Sequence, residues 1–353
     1  MRAVIYDAIG ATPQVREVPE PVAPEGGVVV RVHATGLCRS DWHAWAGHDE
    51  ITLPHVPGHE LAGVVASVGP GVQRWSVGDR VTVPFACGCG RCEWCRRGEA
   101  QVCPDQQQPG FTYWGSFAEY VAVDAARVYP VPDRVGFAEA ACLPMNYLTM
   151  SFGLQTRGEL WPGETVLVHG AAGGIGSATV QLCRAIGARV IAVVSSPQKA
   201  EFVRSLGASE VVAVEGFKDT VLGLTDRAGV DVVVDPVGGD RFTDSLRCLA
   251  PLGRLLVVGF TAGEIPTVKV NRLLLNNIDV RGVGWGAYAD RNPDAYREEW
   301  RKLLPLLENG AIGPPISEIV PLDGVRSAVE RLSDRAVLGK VVLAIGSETS
   351  ARR

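Results

Sequence analysis

No apolar run in this chain reaches the roughly 20 residues that a membrane span requires. The first ten residues, MRAVIYDAIG, lack the basic stretch and apolar core of a secretory leader, so neither a span nor a leader is expected. Low-complexity tracts and heptad arrays are missing too. Charge of one sign is not in excess: a net charge of −5 and a pI near 5.8 give no electrostatic reason to expect nucleic acid or an anionic membrane as partner. What remains, 46% hydrophobic and 21% charged, is an ordinary globular composition. At 353 residues the chain is long for one core, so two domains are expected. The nine cysteines are an odd number, and five of them fall between positions 87 and 103. That packing argues against a disulfide framework and for metal ligation in a reducing, cytoplasmic setting.

Residues 1–128 read as short β segments, VVVRVHAT, LAGVVASVG, DRVTVPF and FAEYVAV, cut by Gly and Pro about every ten residues. From about 150 to 286 the pattern becomes buried strands alternating with amphipathic helices. TVLVHG, RVIAVVS, EVVAV, DVVVD, LLVVG and VRGVGW are the strands, and a parallel sheet covered on both faces follows. A helix through PDAYREEWRKLLPLLENG and a strand, GKVVLAI, close the chain. The fold class is therefore α/β: a β-rich domain over 1–149 and 287–353, and a doubly wound dinucleotide-binding domain over 150–286.

Cys89, Cys92, Cys95 and Cys103 are spaced C-x2-C-x2-C-x7-C. Four thiolates close a tetrahedral zinc site, leaving no position for substrate, so this zinc would be structural. Cys87 lies outside the pattern. A second constellation is offered by GLCRSDWH, with Cys38, Ser40, Asp41 and His43, and by PGHE, with His59 and Glu60. A thiolate and an imidazole can supply part of a catalytic zinc site, which needs three protein ligands and one open position.

VLVHGAAGGIGSATV places Gly170, Gly173, Gly174, Ile175 and Gly176 between a buried strand and a helix. There glycines admit the pyrophosphate to the helix N-terminus, where unpaired N–H groups point at it. NAD-preferring sites carry Asp or Glu at the end of the next strand. Here that place reads VVSSPQK, so Ser195, Ser196 and Lys199 favour NADP(H) over NAD(H).

GLCRSDWH, PGHELAGVV and CGRCEWCRRG resemble the zinc-containing alcohol dehydrogenases of the medium-chain dehydrogenase/reductase family, a likeness that covers residues 1–128. The resemblance implies a GroES-like fold for this part, a catalytic zinc on Cys38 and His59, and Glu60 beside the metal. It also implies Asp41 behind the ligating His59 and a proton relay through Ser40 and His43. The chemistry agrees: zinc acidifies a bound hydroxyl, and a histidine of ordinary pKa near 6.5 suits proton release to solvent. The substrate would be a small alcohol or carbonyl compound.

From residue 129 on, LPMNYLTMSFGL, VDPVGGDRF and RLLVVGFTAGEIPTVKVNRLLLNNIDVRGVGWG resemble instead the NADPH:quinone oxidoreductase branch, which works without zinc. The chain thus reads as a splice near residue 128, natural or engineered. In that branch the nicotinamide is held by Thr149 and the backbone of Val258, Gly259 and Phe260, with Tyr147 or Asn146 polarising the substrate oxygen. Where the zinc branch takes its third catalytic ligand, a cysteine, this chain has Met145. A thioether suits Zn²⁺ poorly, so Met145 is read as packing, Glu60 as the better third ligand and Cys142 as the lesser. A homodimer or homotetramer joined by the edge strand around VRGVGW is also implied by the resemblance.

Overall fold

Valine-rich, β-branched stretches stiffen into strands, and they do so in two separate places. A computed structural model describes residues 1–48, 50–84, 92–97, 103, 108–292, 294–333 and 337–346, except for the side chains of residues 95, 96, 290, 332 and 333. Cys87, Cys89 and the side chain of Cys95 lie outside the described residues.

The first unit opens with an antiparallel pair, β1 (Arg2–Ile5) and β2 (Gln14–Glu17). It continues with β3 (Gly27–Gly36), β4 (Glu60–Val68), β5 (Arg80–Val83), β6 (Tyr120–Asp124) and β7 (Tyr129–Pro130). The chain then lays down β8 (Thr165–Val168), β9 (Arg189–Val194), β10 (Glu210–Ala213), β11 (Val230–Asp235), β12 (Leu249–Val257) and β13 (Asp279–Gly282) in the second unit. It returns to the first with β14 (Ile316–Pro321) and β15 (Lys340–Ala344).

In the first unit the sheet order is β14-β15-β3-β4-β5-β7, with β6 also paired to β3. The strand β3 is the spine, buried at every position but Arg31. Its Val28, Val30 and Val32 join Leu61, Val81, Phe117, Val121 and Leu343 in one core. In the second unit the order is β10-β9-β8-β11-β12-β13, every pair parallel. Counted from β8 this is 3-2-1-4-5-6, the doubly wound order of dinucleotide-binding sheets. Leu167, Ile191, Val193, Val233 and Leu255 form its core. The α/β class and the pairing of a β-rich unit with a parallel-sheet unit are those the sequence implies.

The units divide as Met1–Met145, Gly286–Tyr296 and Pro314–Arg353 on one side, Asn146–Trp285 and Arg297–Gly313 on the other. Most of the helix Ala295–Glu308 thus groups with the dinucleotide unit, whereas the sequence reading puts everything after 286 with the first. The cause is polar. Buried Glu299 accepts a hydrogen bond from the Ser151 hydroxyl, and the Ala311 and Gly313 carbonyls accept from Arg184 and Gln181. Among the described residues no helix is long and apolar enough to cross a membrane.

Candidate functional site

The strand β3 ends at Gly36, and two residues later Cys38 caps the helix Arg39–Ala46. Asp41, in the first turn, accepts the Cys38 N–H on Oδ2 at 2.9 Å, closing a capping box. Its other oxygen meets His59 Nδ1 at 3.1 Å, with both side chains fully buried. That bond fixes the imidazole, which lies close to Cys38.

Glu60 opens β4 directly opposite Gly36. A Cβ at Gly36 would overlap Glu60 Oε2 and lie 2.9 Å from Cys142 Sγ, so a larger residue there would displace both side chains. One ligand atom each from Cys38, His59 and Glu60 lies within 4.8 Å of the other two, close enough to share an ion. The thiolate, imidazole and carboxylate are a zinc donor set. The structure offers a further sign of fit: Glu60 Oε2 is buried with no hydrogen-bond partner among the described residues, a costly state that a cation would relieve.

The charges agree. Burial works against the Cys38 thiolate, but the hydrogen bond and charge of His59, with the ammonium of Lys340, outweigh it and hold the thiol below its ordinary value. Burial likewise opposes a charged His59, and Asp41 and Cys38 overcome it, keeping His59 well above the usual imidazole range. Lys340 was missed from the sequence. It is buried, donates to Glu60 Oε1 at 2.8 Å and to the Leu37 carbonyl at 2.7 Å, and stays charged because Glu60, Cys38 and Cys142 together outweigh its desolvation. The available signal was a lone lysine opening an otherwise apolar strand.

Ser40 Oγ lies 3.2 Å from Cys38 Sγ, and His43 follows one turn along the same helix, its ring edge-on to Trp42 and to His48. Cys142 is fully buried at the end of the helix Phe137–Leu143, and burial pushes its thiol well up. Met145 follows in a π-helical turn, Pro144–Leu148. Tyr147 is buried with its hydroxyl donating to Gln181 at 2.9 Å. A phenol has one proton, and this one is spent inside the fold, which weighs against Tyr147 as the substrate-polarising group. Within the four-cysteine loop, Cys92 Sγ and Cys103 Sγ are 3.7 Å apart. A regular tetrahedron with Zn–S bonds of about 2.3 Å has edges of about 3.8 Å.

In the second unit Gly170 turns the chain out of β8 with φ +57°, and Gly173 caps the helix Gly174–Ile186 without a side-chain bond to its N–H groups. Ile175 and Gly176 lie in its first turn. A Cβ on Gly176 would overlap the Gly170 carbonyl and lie 2.5 Å from Ala171 Cα, whereas one on Gly173 would meet nothing closer than 3.4 Å. Just before the turn, His169 is buried. Ser245 Oγ donates to the Arg241 carbonyl, so His169 Nε2 is the donor in the 2.8 Å bond between them. Burial pushes this histidine down to about 4.

After β9, Lys199 Nζ donates to Ser195 Oγ at 3.1 Å, while Ser196 Oγ caps the helix Pro197–Leu206 by accepting the Lys199 N–H. The three residues named for cofactor choice therefore converge. Val258, Gly259 and Phe260 follow β12, with Phe260 exposed, and Thr149 follows the π-helical turn.

The chain matches the model of the alcohol dehydrogenase GroES-like domain over residues 24–133 and that of the zinc-binding dehydrogenases over 174–309. A quinone oxidoreductase-like protein 2 homolog of Nematostella vectensis is 35% identical over 322 residues, 90% of this chain and 81% of that protein. An alcohol dehydrogenase of Geobacillus stearothermophilus is 32% identical over 354 residues, 98% of this chain and 100% of that one. The solved structure of an NAD-dependent alcohol dehydrogenase superposes with a TM-score of 0.88 at 32% identity, covering 98% of this chain and 100% of the other. Relatives under both names align across residue 128, where the two likenesses meet. With a GroES-like β unit, a 3-2-1-4-5-6 parallel sheet and these relatives, the chain belongs to the medium-chain dehydrogenase/reductase family.

Proposed function

We propose that this oxidoreductase binds zinc and interconverts alcohols with aldehydes or ketones, using NADP(H). The observation that carries the reading is the convergence of Cys38, His59 and Glu60 within 4.8 Å, with Asp41 bonded behind His59. When bound, zinc would supply Lewis acidity at the substrate oxygen and the nicotinamide would exchange the hydride. The chain's own part is to bind and to move a proton. Cys38, His59 and Glu60 hold the metal, and Ser40 takes the hydroxyl proton and passes it to His43 for release. Cys89, Cys92, Cys95 and Cys103 hold a second, structural zinc. Gly170, Gly173, Gly174, Ile175 and Gly176 receive the pyrophosphate, and Ser195, Ser196 and Lys199 receive a 2′-phosphate. Thr149 and the Val258–Phe260 backbone hold the nicotinamide. We further infer a homodimer through the open edge at β13; Leu274 and Leu275, in the helix Asn271–Asn276 that precedes it in the chain, are 77% and 73% exposed.

A second reading is favoured by Met145 and by the quinone oxidoreductase-like relatives: metal-free reduction of quinones or enones, with only the structural zinc retained. Zinc per chain, measured by elemental mass spectrometry on wild type and Cys38→Ser, separates the two when paired with NADPH turnover. The zinc reading expects two zincs, with one lost in C38S, and a drop of at least about 100-fold in carbonyl reduction. Equal zinc in both proteins, with chelator-insensitive enone or quinone reduction, would hand the assignment to the second reading.

A further inference from the structure

Lys340 begins β15 and is 6% exposed. The β15–β3 register sets Val342 opposite Gly36, which brings Lys340 level with Cys38. Its ammonium reaches Glu60 Oε1 and the Leu37 carbonyl, and its field also takes in Cys38 and Cys142. Glu60 therefore has one oxygen held by a cation and the other buried without a hydrogen-bond partner. This geometry has two opposed effects. Without metal, the ammonium compensates a buried carboxylate that would otherwise stand alone. With a dication among Cys38, His59 and Glu60, the same ammonium repels it and withholds Oε1.

We propose that Lys340 is a built-in counter-charge that keeps the three-residue site folded when empty and loosens its grip on zinc, so that this zinc exchanges while the four-cysteine zinc does not. The inference rests on the zinc reading given above. Full-length wild type, Lys340→Met, Lys340→Arg and Cys38→Ser are compared by competition with a fluorescent chelator and by thermal midpoint, stripped and zinc-loaded. Cys38→Ser identifies which zinc belongs to this site. K340M should bind that zinc roughly tenfold or more tighter, yet melt lower than wild type when stripped. K340R, which keeps the charge, should stay close to wild type in both. A lysine that only packs would weaken both properties in K340M.

Unchanged or weaker zinc binding in K340M, or K340R behaving like K340M, overturns the proposal. Should stripped K340M not fold, zinc release from the loaded protein is timed instead. Release slower than wild type supports the proposal, and release as fast or faster overturns it. Equal zinc in wild type and Cys38→Ser removes the zinc reading itself, an outcome distinct from any difference between K340M and wild type.

Discussion

His169 shows what a single buried base does to the stability of this fold. Its folded pKa, about 4, lies below the ordinary 6.5 because burial disfavours the imidazolium. Between those values the unfolded chain binds the extra proton. The stabilisation is thus full above about pH 6.5 and is lost as pH falls through the window toward 4. Denaturant unfolding at pH 7 and pH 5 should show a loss from this residue of about 2 kcal/mol. His169→Gln, which can still donate to Ser245, should be less pH-sensitive by that amount, and an identical slope in both proteins would contradict the assignment. Legibility at this scale followed chain proximity. Glu60 could be singled out because it adjoins His59, and Ser195, Ser196 and Lys199 because they share one turn. Lys340 could not, since its partner lies 280 residues away and only the strand register brings them together. The pattern SSPQK also carries the signal for Ser196 as a helix cap, a hydroxyl residue followed by Pro at the first helical position.

Strands and helices were the most readable level, because a parallel sheet buried on both faces writes itself as apolar runs with helices between. Right-handed crossovers limit the strand orders open to such a run but do not by themselves select the observed 3-2-1-4-5-6. The helix Ala295–Glu308 shows the limit: its amphipathic pattern says that one face is buried, not against which unit, and the Ser151–Glu299 bond is one of the contacts that the pattern cannot show. The Gly-rich turn permits a test that separates packing from ligand approach. Gly176→Ala forces a methyl against the backbone of Gly170 and Ala171. It should cost about 1–3 kcal/mol of stability and weaken NADPH binding as a consequence. Gly173→Ala meets no such clash. Its melting temperature should stay close to wild type while NADPH affinity, by isothermal titration, falls about tenfold or more. Equal destabilisation of the two variants would mean that Gly173 serves the fold rather than the pyrophosphate.

At the scale of the whole molecule, the sheet of the second unit stops at β13 with an open edge, and no described strand covers it. Val270, Leu274 and Leu275, on the segment leading into that strand, are all more than 70% exposed. An unpaired sheet edge and a run of exposed apolar side chains each favour association. A Leu274→Glu, Leu275→Glu double variant should therefore shift the mass by light scattering from dimer to monomer. A wild-type chain that is already monomeric at micromolar concentration would refute the proposed interface. A different kind of consequence follows from the discontinuity of the first unit. On the ribosome, residues 146–285 emerge as one continuous stretch and can complete their parallel sheet early. β3, made far sooner, must wait for β15 from near the end of the chain. Until Lys340 emerges, Glu60 has no counter-ion. Translation of the last strand thus sets the clock for completing the Cys38, His59 and Glu60 cluster, and a nascent chain stalled before it would carry a complete parallel sheet and a first unit that cannot yet close.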